Sequence, residues 1–261
     1  MSAVSQWGMT GNLQFVTLKN MENNGFASWY WNCLAQHGGW TCSSEHVQIN
    51  KVTIVMDPKY SAVVNRWRDS TEKGRRDAII NECEETGSTF FEKLPYDVFF
   101  SSLLLHKLRF KAVDEAIENR RSISSCWDET VTYVTNLLFD HYYNTTTVIH
   151  EGQHALDGIH GKYEQWELEY RAKLSEIVFG GMPFLSLADF MSRDIGNKGQ
   201  PHGRANTRIF EDIVKYIGKN EATYPAIDTN KNILMQLGKL PSESIKSIAR
   251  DIFVSKYVSS Q

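Results

Sequence analysis

Long apolar runs are missing from this 261-residue chain. A bilayer-spanning helix needs about 20 predominantly apolar residues. The longest stretch here, Val98 to Leu105, is interrupted by Ser101 and Ser102 and runs into His106 and Lys107. No membrane span is expected. The opening residues, MSAVSQWGMTGN, lack both a basic start and an apolar stretch, so no secretory signal is visible and the compartment stays open. Cysteine is scarce: Cys33, Cys42, Cys83 and Cys126 include no CxxC pair, which argues against a structural zinc knuckle. Cys33 and Cys42 bracket a Gly-containing loop and suit a disulfide in an oxidising compartment; four reduced, buried thiols are the alternative. An excess of either charge is lacking too. Lys+Arg 28 against Asp+Glu 31 gives a net charge of -3, unlike a protein that coats nucleic acid or anionic membrane. Repeats and low-complexity tracts are absent.

What is present is ordinary globular material. Hydrophobic residues make up 41% of the chain, enough to bury a core. The first 58 residues read as an irregular and β region, with Trp29, Tyr30, Trp31 and Trp40 as packing anchors and Asn12 to Leu18 as a strand. VQINKVTIVMD alternates up to Asp57-Pro58 and reads as a strand with a bulge near Asn50. Residues 59–261 read as mainly helical. Helices are expected at Tyr60–Ser70, Lys73–Glu85, Asp97–Asn119, Asp128–Tyr143, Thr145–Leu156, Tyr163–Val178, Thr207–Ile217 and Ser242–Lys256, the last with a Ser cap. Gly196 to Gly203 reads as a loop, and Asn144-Thr145-Thr146 as a helix start rather than a glycan site. The fold class that results is α+β, mostly α: one domain with a small early β-sheet packed on a helical body.

The chemistry concentrates in TTVIHEGQHALDG. His150-Glu151-Gly152-Gln153-His154 places two imidazoles at i and i+4 on one helix face, where each can give a nitrogen to one Zn²⁺. Glu151 is turned about 100° from His150, so it can reach a water held there without ligating the metal. It then serves as general base and carries a proton to a leaving amine. Two histidines and a glutamate at this spacing also arise by chance, in roughly one chain of this size in a hundred.

A catalytic zinc has three protein ligands and an open position. HExxH followed on a later helix by Glu169-Tyr170-Arg171-Ala172 resembles the gluzincins, zinc metallopeptidases whose third ligand is a glutamate in a pattern like E-x-x-A-[DN]. The resemblance covers roughly residues 145 to 178. It implies a peptidase acting on a peptide or protein, with zinc on His150, His154 and Glu169. Lys173 stands where that family has a carboxylate or amide supporting a histidine, and Asp157 or Glu176 is a substitute. Glu167 and Glu176 are rival ligands. The bland reading pairs Glu169 with Lys173 and Glu167 with Arg171 in i,i+4 salt bridges.

A second reading takes His160 as third ligand, at the spacing of the metzincin pattern HExxHxxGxxH. Asp157 stands there in place of the glycine at which that chain turns, and Met182 or Met191 would supply the Met-turn. The resemblance also implies a distant Tyr or His that stabilises the transition state. His202 is the candidate, with Tyr142, Tyr143 and Tyr170 behind it. Substrate pairing with a sheet edge nominates VQINKVTIVMD. His37, His46, His106 and His141 have ordinary readings, His106 as a satisfied core residue. A reading from another class is a helical binding or scaffold protein that keeps a zinc site without catalysis. Cleavage specificity, endo- or exopeptidase action and oligomeric state are not legible.

Overall fold

The structure is a computed structural model that describes residues 2–17, 40–42, 46–49, 52–55, 60–85, 89–94, 98–160, 162–192 and 199–258. It is α+β and mostly α. Five short strands come early: β1 (Ser2–Gln6), β2 (Met9–Thr17), β3 (Trp40–Cys42), β4 (His46–Ile49) and β5 (Val52–Val55). They form one sheet in the order β1-β2-β5-β4-β3. The pairs are antiparallel except β2 with β5, which is parallel.

The early hairpin is pinned to the helical body by Trp7. Trp7 and Gly8 make the turn between β1 and β2 with φ of 55° and 78°. A left-handed backbone is unusual for tryptophan and persists only where tertiary contacts hold it. Here the indole stacks on Phe253, with ring centroids 3.7 Å apart, and its Nε1–H donates to Ser175 Oγ at 2.7 Å.

VQINKVTIVMD forms two strands rather than one bulged strand. Ile49 stands opposite Val52 in an antiparallel pair. Both strands lie inside the sheet, so the nominated segment offers no edge to a substrate. β1 and β3 are the edges among the described strands.

The body begins with helices α1 (Tyr60–Thr71) and α2 (Lys73–Glu85), as expected. The long helix expected from Asp97 starts later. Val98–Ser101 is strand β7, paired with β6 (Thr89–Leu94), and α3 spans Ser102–Arg121. Val-Phe-Phe favours the extended state, and that preference wins over the 3.6 period. α4 (Trp127–Asp140) runs without a break into a nine-residue π-helix, His141–Ile149, and this into α5 (His150–His160). Then come α6 (Gln165–Phe179), α7 (Pro183–Ser192), α8 (Pro201–Lys219) and α9 (Ser242–Tyr257). β1, β3, β6 and α7 had no counterpart in the sequence reading.

The core lies where α3, α6, α7, α8 and α9 meet. The expected stripe of α9, Ile245, Ile248, Ala249, Ile252 and Phe253, is buried throughout. Full burial of each large apolar side chain contributes about 1.5–3 kcal/mol. The cap of α9 differs from expectation. Ser242 is the first helical residue, and its N–H and Oγ both bond to the Glu115 carboxylate at 2.9 Å. A carboxylate from α3 therefore satisfies the orphan donor and complements the helix dipole.

α6 is the central helix. Every residue from Glu169 to Val178 is buried, including Glu169, Arg171, Lys173 and Glu176. Four ionisable side chains inside one helix demand partners, and α5 supplies most of them.

Trp29, Tyr30, Trp31, Cys33 and His37 lie outside the described residues, and of the side chains of Trp40, Cys42 and His46 nothing is described. Cys83 and Cys126 are free thiols, half-buried and exposed rather than buried.

Candidate metal centre

α5 presents a polar face to α6. His150, Gln153, His154 and Asp157 recur at i, i+3, i+4 and i+7, which places them along one side of the helix. Each meets a partner on α6. Gln153 Oε1 accepts from Ser175 Oγ at 3.0 Å, and its Nε2 donates to Asp157 Oδ1 at 2.7 Å. Arg171 forks onto both Asp157 oxygens at 2.8 and 2.9 Å. Its guanidinium is also stacked among Tyr163, Phe253 and Tyr257, 4.2 to 4.7 Å from their ring centres. The bland alternative paired Arg171 with Glu167; the fully buried Asp157 takes it instead.

The first half of the seam carries the site. His150 Nε2 and His154 Nε2 lie 3.0 Å apart. The Glu169 carboxylate oxygens lie 3.3 Å from the first and 3.4 Å from the second. A tetrahedral ion with ligand bonds of about 2.0–2.1 Å has edges of about 3.3–3.4 Å. The two histidine–carboxylate separations match that edge, each through a different Glu169 oxygen, and the two imidazole nitrogens stand slightly closer. His150, His154 and Glu169 form a buried group able to hold a metal ion.

A carboxylate supports the first histidine. Glu176 Oε1 lies 2.6 Å from His150 Nδ1. It stands seven residues after Glu169, almost two full turns, and so on the same helix face. Of the two carboxylates considered as a support for a histidine, Glu176 is the one that reaches His150; Asp157 is taken by Arg171. Lys173 does not pair with Glu169, and its ammonium sits 4.6 Å over the Phe190 ring.

The charges in this cluster bind one another. Burial alone drives His150 toward its neutral form, but hydrogen bonds to Glu169 and Glu176 outweigh burial and raise it to about 10. Burial opposes ionisation of Glu169, yet hydrogen bonds from His150 and His154 hold it well below the usual carboxylate range. A metal ion bound by this group takes the place of the protons that these hydrogen bonds hold.

Glu151 is also buried, at 3% exposure, on the turn between the two histidines. His202 reaches the site. It does so from the first turn of α8 rather than from a loop, because Pro201 opens that helix and buried Gly203 continues it. Its Nδ1 lies 2.8 Å from Glu169 Oε2. The other oxyanion candidates point elsewhere: Tyr170 OH donates to Asp212 at 2.6 Å, and Tyr142 OH accepts from Arg66 at 3.2 Å. The Tyr143 side chain is not among those described.

Glu167 is not part of the cluster. It lines a cavity of about 410 Å³ between α6, α8 and α9, with Trp166, Arg204 and Lys256. α5 stays helical through Gly158 to His160, so the chain makes no sharp turn three residues after His154, as the metzincin pattern requires. Met182 and Met191 are buried in the core.

No protein-family model, curated protein or solved structure matches the chain. The chemistry of the site therefore rests on its own geometry.

Proposed function

We propose that this chain is a zinc-dependent hydrolase of the peptidase type, similar in its site to the gluzincins. The observation that carries the reading is the donor triangle of His150, His154 and Glu169, with Glu176 behind His150. Two imidazoles and one carboxylate are a donor set for a catalytic zinc, which leaves a fourth position open. Bound there, the ion supplies Lewis acidity to a water and to a substrate carbonyl.

The chain's own residues do the rest. Glu176 fixes the tautomer of His150 by accepting from Nδ1, which leaves Nε2 free to ligate. His202 Nδ1 lies 2.8 Å from Glu169 Oε2, and in this reading its imidazole donates to the developing oxyanion. Glu151, one residue after His150 and buried, takes the proton of the attacking water and returns it to the leaving amine.

The test is a pair of measurements on wild type and Glu151→Gln. Purified wild type is expected to carry about one zinc per chain and to cleave members of a peptide library. Glu151→Gln is expected to keep the metal and lose about 100-fold or more in turnover. Undiminished cleavage in that variant would exclude Glu151 as base. Absence of zinc from wild type, and failure to take it up, would exclude the metal reading. Full zinc content with no cleavage of any library member would favour the scaffold reading.

A further inference from the structure

A second polar cluster, away from the metal centre, holds two half-buried arginines whose Nε–H groups find no acceptor. Arg66 on α1 and Arg109 on α3 act on each other as like charges. The Nε–H groups of both are buried and have no acceptor. Arg66 donates one Nη2 hydrogen bond, to Tyr142 OH at 3.2 Å. Arg109 makes no hydrogen bond or ion pair among the described residues. The counter-charges that act on it are Asp189 and Asp69. Asp189 is held by His141 Nε2 at 3.0 Å, and Asp69 by Arg75. His141 is itself fully buried, with Nδ1 unsatisfied.

Such an arrangement is costly as it stands. A guanidinium edge whose Nε–H is buried without an acceptor loses hydration that nothing repays, and a second guanidinium nearby adds repulsion. Two planar forks of N–H donors, with a phenol beside them, match one ligand chemistry: the paired oxygens of a carboxylate or phosphate.

We propose that Arg66, Arg109 and Tyr142 form a binding site for an oxyanion, the carboxylate of a peptide terminus or a phosphate group, between α1, α3 and the π-helix. Nothing in the proposal depends on the metal reading. Its place is suggestive all the same, since the π-helix that carries Tyr142 ends at Ile149, one residue before His150. Burial first, and then the Arg66 charge, push Arg109 down to about 10, the condition that an anion would relieve.

The experiment titrates the intact chain with inorganic phosphate, with acetyl-dialanine and with the amide of that peptide, at constant ionic strength, by calorimetry and by the thermal midpoint. Saturable binding of phosphate with a Kd of about 1 mM or tighter assigns the site to phosphate. Binding of the free-acid peptide, but not its amide, assigns it to a chain terminus. Arg109→Met is expected to fold with a thermal midpoint equal to or above that of wild type, because it removes an uncompensated charge. It is expected to bind the same probe at least ten-fold more weakly. Should that variant not fold, Tyr142→Phe and Arg109→Lys are read in its place, each with a several-fold loss. No saturable binding of any probe, or undiminished binding in the variants, overturns the proposal.

Discussion

Glu176 Oε1 stands 2.6 Å from His150 Nδ1, two helical turns beyond Glu169 on the same face of α6. One helix thus supplies both a carboxylate of the donor triangle and the carboxylate that orients its first histidine. A partner that accepts from Nδ1 fixes which ring nitrogen is free for a metal and makes it more basic.

Glu176→Gln should therefore weaken zinc binding by about 10- to 100-fold without removing a ligand. Competition with a chromogenic chelator measures this directly. The control is Glu167→Gln, which lies at the cavity of about 410 Å³ and should leave zinc affinity unchanged. Equal loss in both variants would mean that general destabilisation, not His150, is being read.

Arg171 and Asp157 clamp the second half of the same seam in a buried two-bond fork. Arg171→Gln leaves Asp157 charged, buried and half-satisfied, a change that typically costs about 3–5 kcal/mol. In a chain of this size that is a fall in thermal midpoint of roughly 10 °C. Replacing both residues with apolar ones should recover part of the loss, since removal of a whole buried pair is better tolerated than removal of one partner. A double-mutant cycle by thermal melting shows whether the recovery occurs.

Gly180 closes α6 where that helix meets the π-helix. A Cβ there would lie 2.4 Å from the Glu176 carbonyl oxygen and 2.7 Å from Thr145 Cγ2. Its φ of -74° is open to any residue, so close approach and not backbone freedom requires the glycine. Gly180→Ala should destabilise by about 1–3 kcal/mol through overpacking. Because the strain pushes α6 from the element leading into His150, zinc affinity should fall as well. A thermal melt with and without zinc separates the two effects: the stabilisation that zinc gives should shrink in the variant.

Much of the centre was legible because its determinants are local. His150, Glu151 and His154 were picked out by helical spacing, Glu169 by its likeness to the gluzincin pattern with Glu167 and Glu176 as rivals, and Glu176 also as one of two substitutes for a supporting carboxylate. What the sequence hid is non-local. The partner of Arg171 is Asp157, fourteen residues earlier, rather than Glu167 four residues earlier. The carboxylate that caps α9 belongs to Glu115, 127 residues away. The π-helix His141–Ile149 was invisible for another reason: i→i+5 bonding has no 3.6 period, so the pattern broke at Tyr143 and restarted at Thr145. Pro201 and Gly203 read as loop residues, although proline is well suited to a helix's first turn; that misplaced His202 into a loop.

His106 gives the chain an acid sensitivity that can be assigned. Burial, then the charges of Arg109 and Arg66, push its imidazole down to about 4, against 6.5 for the free side chain; Asp69 opposes the shift weakly. Above about pH 6.5 the ring is neutral in both folded and unfolded chains and contributes nothing to the difference between them. As pH falls from 6.5 toward 4, the unfolded chain takes up a proton that the folded one refuses, and stability is lost across that window. Because the ring is only partly buried, the loss is roughly 1–2 kcal/mol rather than the larger figure the full shift implies. His106→Gln cannot titrate. Between pH 7.5 and pH 4.5 its thermal midpoint should fall by a few degrees less than that of wild type. Parallel curves for the two proteins over that interval would show that His106 is not the group responsible.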